Sequence, residues 1–150
     1  MEFQGKRILL VSAVDRFGLA EALDDAGANL ICGDLIFGLG LPLPVHSLSH
    51  FQKVAYMLAP IACRLPFKML YPTGNKQEKI DTRFQRYYKD AAIIAGDFLF
   101  IRRYMPPELP GKVIITNTVT EDDIEVLRRR GIKTLITTTP EFNGRSFGTN

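Results

Sequence analysis

The chain opens with an apolar run, Ile8-Leu9-Leu10-Val11, set between Arg7 and Ser12. A short turn reaches Gly18, a helix-like stretch follows, and a second apolar run, Leu30-Ile31-Cys32, closes on Asp34. This is a β-turn-α-β unit, the building block of nucleotide-binding sheets. A G-x-G-x-x-G fingerprint would place glycines where this chain has Ala13, Asp15 and Gly18, so only the last is present. The fold is therefore constrained tightly, and the ligand much less so.

With 150 residues the chain is expected to form one domain, long enough to bury about two thirds of its unfolded surface. Hydrophobic residues make up 46%, with twelve Gly and nine Pro, which excludes a disordered chain. No apolar run approaches the roughly 20 residues that span a bilayer. Glu2, Gln4, Lys6 and Arg7 lead straight into the first strand, so no signal peptide is read and a cytoplasmic location is expected. Nineteen basic residues against sixteen acidic make no general case for nucleic acid. Cys32 and Cys63 lack C-x-x-C or Cys/His spacing and are read as reduced, buried hydrophobes. His46 and His50 are four apart but have no third ligand nearby, so no metal is expected.

Leu19, Ala22, Leu23 and Ala26 recur at helical spacing before a C-cap glycine, Gly27. Leu35 to Pro44, with Gly38, Gly40, Pro42 and Pro44, reads as a loop. Ser47 or Ser49 caps a helix through Phe51, Val54, Ala55 and Leu58 that Pro60 kinks or ends. Pro72 to Asn75 marks a turn, and a helix over Asp81 to Lys89 carries Phe84, Tyr87 and Tyr88 on its apolar face. Ala91 to Ala95 and Val113 to Thr116 read as buried strands. Thr120 and Asp123 form a capping box for a helix closed by Gly131, and Lys133 to Thr137 is the last strand. Apolar strands alternating with helices predict a doubly wound α/β fold, a mostly parallel five-stranded Rossmann-like sheet of order 2-1-3-4-5. The closing Glu141 to Asn150 reads as a glycine-bearing loop leading toward a further helix, so the domain is expected to belong to a longer protein.

Ligands in such sheets collect at the carboxyl ends of the strands, which selects the candidate residues. Ser12, Asp15, Arg16, Phe17 and Gly18 form the first turn, where Arg16 would have to offset Asp15 for a pyrophosphate to bind, or Asp15 simply caps the helix. Asp34 stands where an acid would accept hydrogen bonds from an adenosine ribose, which favours NAD over NADP. Asp97 ends the third strand, and Arg102 and Arg103 follow in what reads as a loop from Phe98 to Pro107. Together they suit a small polar acid, or else form a structural ion pair. Thr138 and Thr139 offer hydroxyls, and Gly144, Arg145 and Ser146 resemble an anion nest. Phe98, Phe100, Met105, Pro106 and Pro107, if exposed, would form an apolar patch for a homo-oligomer.

The runs LLVSAVDRFGLAEAL, GDLIFGLGLPLP, LPFKMLYPTGNKQE, AGDFLFIRRYMP and ITTTPEFNGRSFGTN together resemble a bacterial family labelled quinate 5-dehydrogenase. The likeness covers nearly the whole chain and implies a C-terminal, Rossmann-like domain preceded by a further segment. It also implies a dehydrogenase of a cyclic hydroxy acid such as quinate or shikimate, with NAD or NADP held on this domain. Shikimate dehydrogenases use a glycine-rich turn and a Lys/Asp pair on the preceding domain; here Ser12 to Gly18 replaces the glycine turn, and the pair has no counterpart. The alternative is a non-catalytic Rossmann-like domain that binds or senses a small molecule.

Overall fold

The computed structural model describes residues 2–64, 82–142 and 145–146. Five strands form one parallel sheet: β1 (Arg7–Leu10), β2 (Asn29–Cys32), β3 (Ile93–Ala95), β4 (Val113–Thr116) and β5 (Thr134–Thr137). Their spatial order is β2-β1-β3-β4-β5, so the sheet reverses direction of growth between β1 and β3. Helices α1 (Phe17–Asp25), α2 (Leu48–Ala62), α3 (Gln85–Asp90), α4 (Phe98–Tyr104) and α5 (Glu121–Arg129) flank it. A short hairpin, β6 (Glu141–Phe142) with β7 (Arg145–Ser146), lies after β5.

Strand periodicity sends alternate side chains to opposite faces, and both faces are dry. Ile8, Leu10, Ile93 and Ala95 meet Ala20, Leu23, Leu48 and Phe51, so α1 and α2 cover one side. Leu9, Val11, Ile94 and Ile114 meet Tyr88, Phe98, Ile101 and Leu127 on the other. Burying a side chain of this size contributes about 1.5–3 kcal/mol. The buried polar atoms of that layer are bonded: the Tyr104 hydroxyl donates to the Phe37 carbonyl at 2.8 Å, and the Tyr88 hydroxyl to that of Ile101 at 3.2 Å. Gly27 takes φ +75 just past α1, the left-handed turn that stops the helix and aims β2 back along the sheet. The capping box of α5 is complete, with Thr120 accepting from the Asp123 amide and Asp123 from that of Thr120.

Several sequence-based expectations change. Asp34–Gly38 is a π-helix instead of loop, its Ile36 and Phe37 buried. Ser47 provides the cap of α2, accepting from the His50 amide, and Pro60 is held inside the last turn. His46 precedes that helix, so the two histidines do not share its face. Of the helix expected over Asp81 to Lys89, Asp81 lies outside the described residues, and from Thr82 onward the helix runs over Gln85–Asp90.

Phe98 to Tyr104 is α4, not a loop, because Phe98, Ile101 and Tyr104 repeat every three residues and face the core. That burial takes Phe98 and Met105, each 1% exposed, and Pro106 out of the expected apolar patch, leaving Phe100 half-buried and Pro107 exposed. Cys32 is buried as expected, whereas Cys63 is exposed. The turn expected over Pro72 to Asn75 lies outside the described residues, and among those described no helix is long and apolar enough to cross a membrane.

Candidate functional site at the carboxyl edge

A polar residue stands one or two positions past the end of each strand, and the strand register aligns those ends. Leu10 pairs with Cys32 and Ala95, Ala95 with Ile115, and Thr116 with Thr137. Continued just past the strand ends, the same register sets Asp34, Ser12, Asp97, Asn117 and Thr138 in one row across the carboxyl edge. Adjacent strands lie about 4.8 Å apart, so the row is about 19 Å long. Of the candidate residues, Ser12, Asp34, Asp97 and Thr138 fall in this row, with Asp34 and Thr138 at its two ends.

The first turn is bound by the protein itself. The two carboxylate oxygens of Asp34 accept from the Ala13 amide at 2.9 Å and from the Val14 amide at 3.0 Å. Backbone N–H groups in this turn are the ones that hold phosphate in dinucleotide sites. Burial raises the Asp34 carboxyl above its usual range, the two amide bonds oppose the shift, and Asp15 adds to it. Asp15 accepts from the Ser12 hydroxyl at 2.9 Å. It is not the helix cap, because Arg16 occupies that position without a side-chain bond. Phe17 and Gly18 begin α1. A Cβ on Gly18 would meet nothing within 4 Å, so the one retained glycine of the fingerprint is not required by close helix–strand packing.

Arg16 reaches Asp97 at 3.8 Å, which closes the gap between β1 and β3 with a half-exposed ion pair. Asp97 also caps α4 through the Leu99 amide. Gly96 stands between them at φ +137, where a Cβ would lie 2.4 Å from Val11 Cγ2, so only glycine lets these strands approach. Arg102 and Arg103 sit in the last turn of α4 and do not join Asp97. Arg102 pairs with Asp123 at 3.1 Å, and Arg103 lies over the Tyr104 ring at 5.2 Å.

Beyond β4, Thr116 donates to the Gly96 carbonyl at 2.7 Å, and both the amide and hydroxyl of Thr138 donate to the Thr116 carbonyl. Asn117 is 2% exposed, and its side-chain Oδ1 has no hydrogen-bond partner. Thr118 follows at φ 49, an uncommon angle for a β-branched residue. The sequence reading does not single out Asn117. Its polarity at the end of an apolar run was the available signal.

Thr139 follows Thr138 past β5. Of the terminal anion-nest residues, Gly144 lies outside the described residues, while Arg145 and Ser146 form an extended strand paired with β6. At these two positions the backbone is extended instead of loop.

No group of three metal-ligating side chains occurs among the described residues. Burial, with Asp34 and Asp24 nearby, pushes the Cys32 thiol up to about 12, which leaves it protonated and unreactive at neutral pH. The domain of unknown function DUF8754 matches residues 1–150. The chain belongs to this family. No curated protein and no solved structure matches it. That family's description names no activity, so a functional reading rests on the chemistry of the edge.

Proposed function

We propose that this domain binds a small polar molecule along the carboxyl edge at the β1–β3 switch point, and that it does so without gripping a dinucleotide by its pyrophosphate. The observation that carries the reading is the Asp34 carboxylate on the Ala13 and Val14 amides. A phosphate arriving at this turn would meet occupied donors and two carboxylates, Asp34 and Asp15. The residues present therefore do not fit a nicotinamide dinucleotide in its usual pose, and no catalytic step is derived through one.

A second reading follows from the position of Asp34. An acid after β2 is where a ribose contact would lie, and with the resemblance to quinate 5-dehydrogenases it supports an NAD-dependent oxidoreductase of a cyclic hydroxy acid. That reading requires Asp34 to release the turn and take the ribose.

Calorimetric titration with NAD, NADH, NADP and NADPH separates the two. The binding-domain reading expects dissociation constants weaker than about 1 mM for all four. Micromolar NAD binding that is lost in Asp34→Ala would replace it with the oxidoreductase reading.

A further inference from the structure

Asn117 is the least satisfied member of the row. Its neighbours are committed: Thr116 bonds Gly96 through its hydroxyl and Thr138 through its carbonyl, and Thr120 is occupied in the α5 capping box. Buried polar groups in folded proteins nearly always find a partner, so a side-chain carbonyl without one calls for an explanation. The register places this residue between Asp97 and Thr138, within the row of edge residues.

We infer that Asn117 is the specificity-determining acceptor of the edge, taking a hydrogen bond from a hydroxyl or ammonium group of a neutral or cationic polyhydroxy ligand. This rests on the reading of the carboxyl edge as a small-molecule site. The charge around the edge selects the ligand class. Asp15, Asp34 and Asp97 stand on the turns after β1, β2 and β3, and Glu121, Asp122 and Asp123 open α5, against Arg16 on Asp97 and Arg102 on Asp123. The excess of carboxylates disfavours an anion, whereas a donor group meets the unpartnered Oδ1 of Asn117.

The free protein seals Oδ1, so the ligand must shift the turn to reach it. Thr118 makes that shift favourable, because φ 49 is a conformation threonine holds against its preference, and leaving it releases strain.

The test uses the full 150-residue chain and three probes: glucosamine, glucose and the anionic gluconate, followed by amide chemical shifts. Glucosamine and glucose are expected to move the amides of Ser12, Asp97 and Thr118, and gluconate to move none. Asn117→Leu is expected to weaken glucosamine binding at least about tenfold, the loss of one charged hydrogen bond. The same variant should raise Tm by about 2–4 °C, since it removes an unsatisfied buried group.

Shifts at Ser12 and Asp97 with unchanged affinity in Asn117→Leu would overturn this inference and leave the site reading standing. That pattern with an unchanged or lowered Tm would assign Oδ1 to an internal water, because the variant would then remove a satisfied acceptor. No shift at the edge with any probe would overturn both. If Asn117→Leu does not fold, Asn117→Asp should bind glucosamine more tightly, and equal affinity would equally defeat the inference.

Discussion

The turns after β1 and β4 occupy the same edge of the same sheet and are finished in opposite ways. After β1, two backbone donors are filled by an acid from the neighbouring strand end, Asp34. After β4, an acceptor is buried with nothing to receive and the next residue is held at φ 49. The first turn is a completed internal contact, and the second holds unsatisfied polarity and strain. In a sheet of this topology the first turn is where a phosphate would be sought, and this chain has placed its own carboxylate there. The contrast moves the search for a ligand two strand pairs along the edge, from β1–β2 past the β1–β3 switch point toward β3–β4.

Removing the completed contact should have the largest effect. Asp34→Ala leaves the buried Ala13 amide and its neighbour without an acceptor and should destabilise the domain by about 2–3 kcal/mol in urea unfolding. A change near zero would mean that the turn does not depend on Asp34, and the contrast would collapse.

Thr120→Ala offers a calibration on the β4 side, where a regular capping box should be worth about 1 kcal/mol. A smaller loss would show that the start of α5 is held by packing alone.

Thr118→Gly should act in the other direction, stabilising by about 0.5–1 kcal/mol because glycine adopts a positive φ without steric cost. Destabilisation there would remove the strain from the argument.

The pH dependence is the finest test. Burial raises the folded carboxyl of Asp34 above the 3.8 of an ordinary aspartate, so the folded chain holds its proton more tightly than the unfolded one. The resulting contribution to stability is fully present below 3.8 and is lost as pH rises through the folded value. Wild-type stability measured against Asp34→Asn should therefore decline as pH is raised from 3.8 toward neutrality. A constant difference would place Asp34 in a more solvated setting than the row implies.

How far the sequence foretold all this depends on whether each signal was local. Ile8 to Val11, Ala91 to Ala95 and Val113 to Thr116 announced central strands because both faces of a parallel sheet demand apolar side chains. Thr120 with Asp123, and Gly27 past α1, mark helix ends through bonds made within a few residues. The segment from Phe98 to Tyr104 carried a helical repeat as well, but one so short and so close to Pro106 and Pro107 that it resembled a loop. The π-helix at Asp34–Gly38 forms in a glycine-rich stretch where burial of Ile36 and Phe37 outweighs propensity.

The site was legible as positions and not as bonds. Asp34, Ser12 and Asp97 could be placed at strand ends, yet that Asp34 grips the first turn depends on strand register. That Asn117 lacks a partner depends on where every nearby donor goes. Neither fact exists in the linear pattern.

The Tyr104–Phe37 hydrogen bond ties together residues 67 apart in sequence, and β1 meets β3 over a still longer span. By contrast, β1 with β2, and β3 through β5, pair across single helical crossovers. Loop-closure entropy therefore favours two halves that organise early and dock late, with the β1–β3 seam as the slow, committing step of folding. The pairing of Arg16 with Asp97 lies on that seam. A molecule bound across it would hold the halves together, so its first measurable signature on this chain would be a slower rate of unfolding.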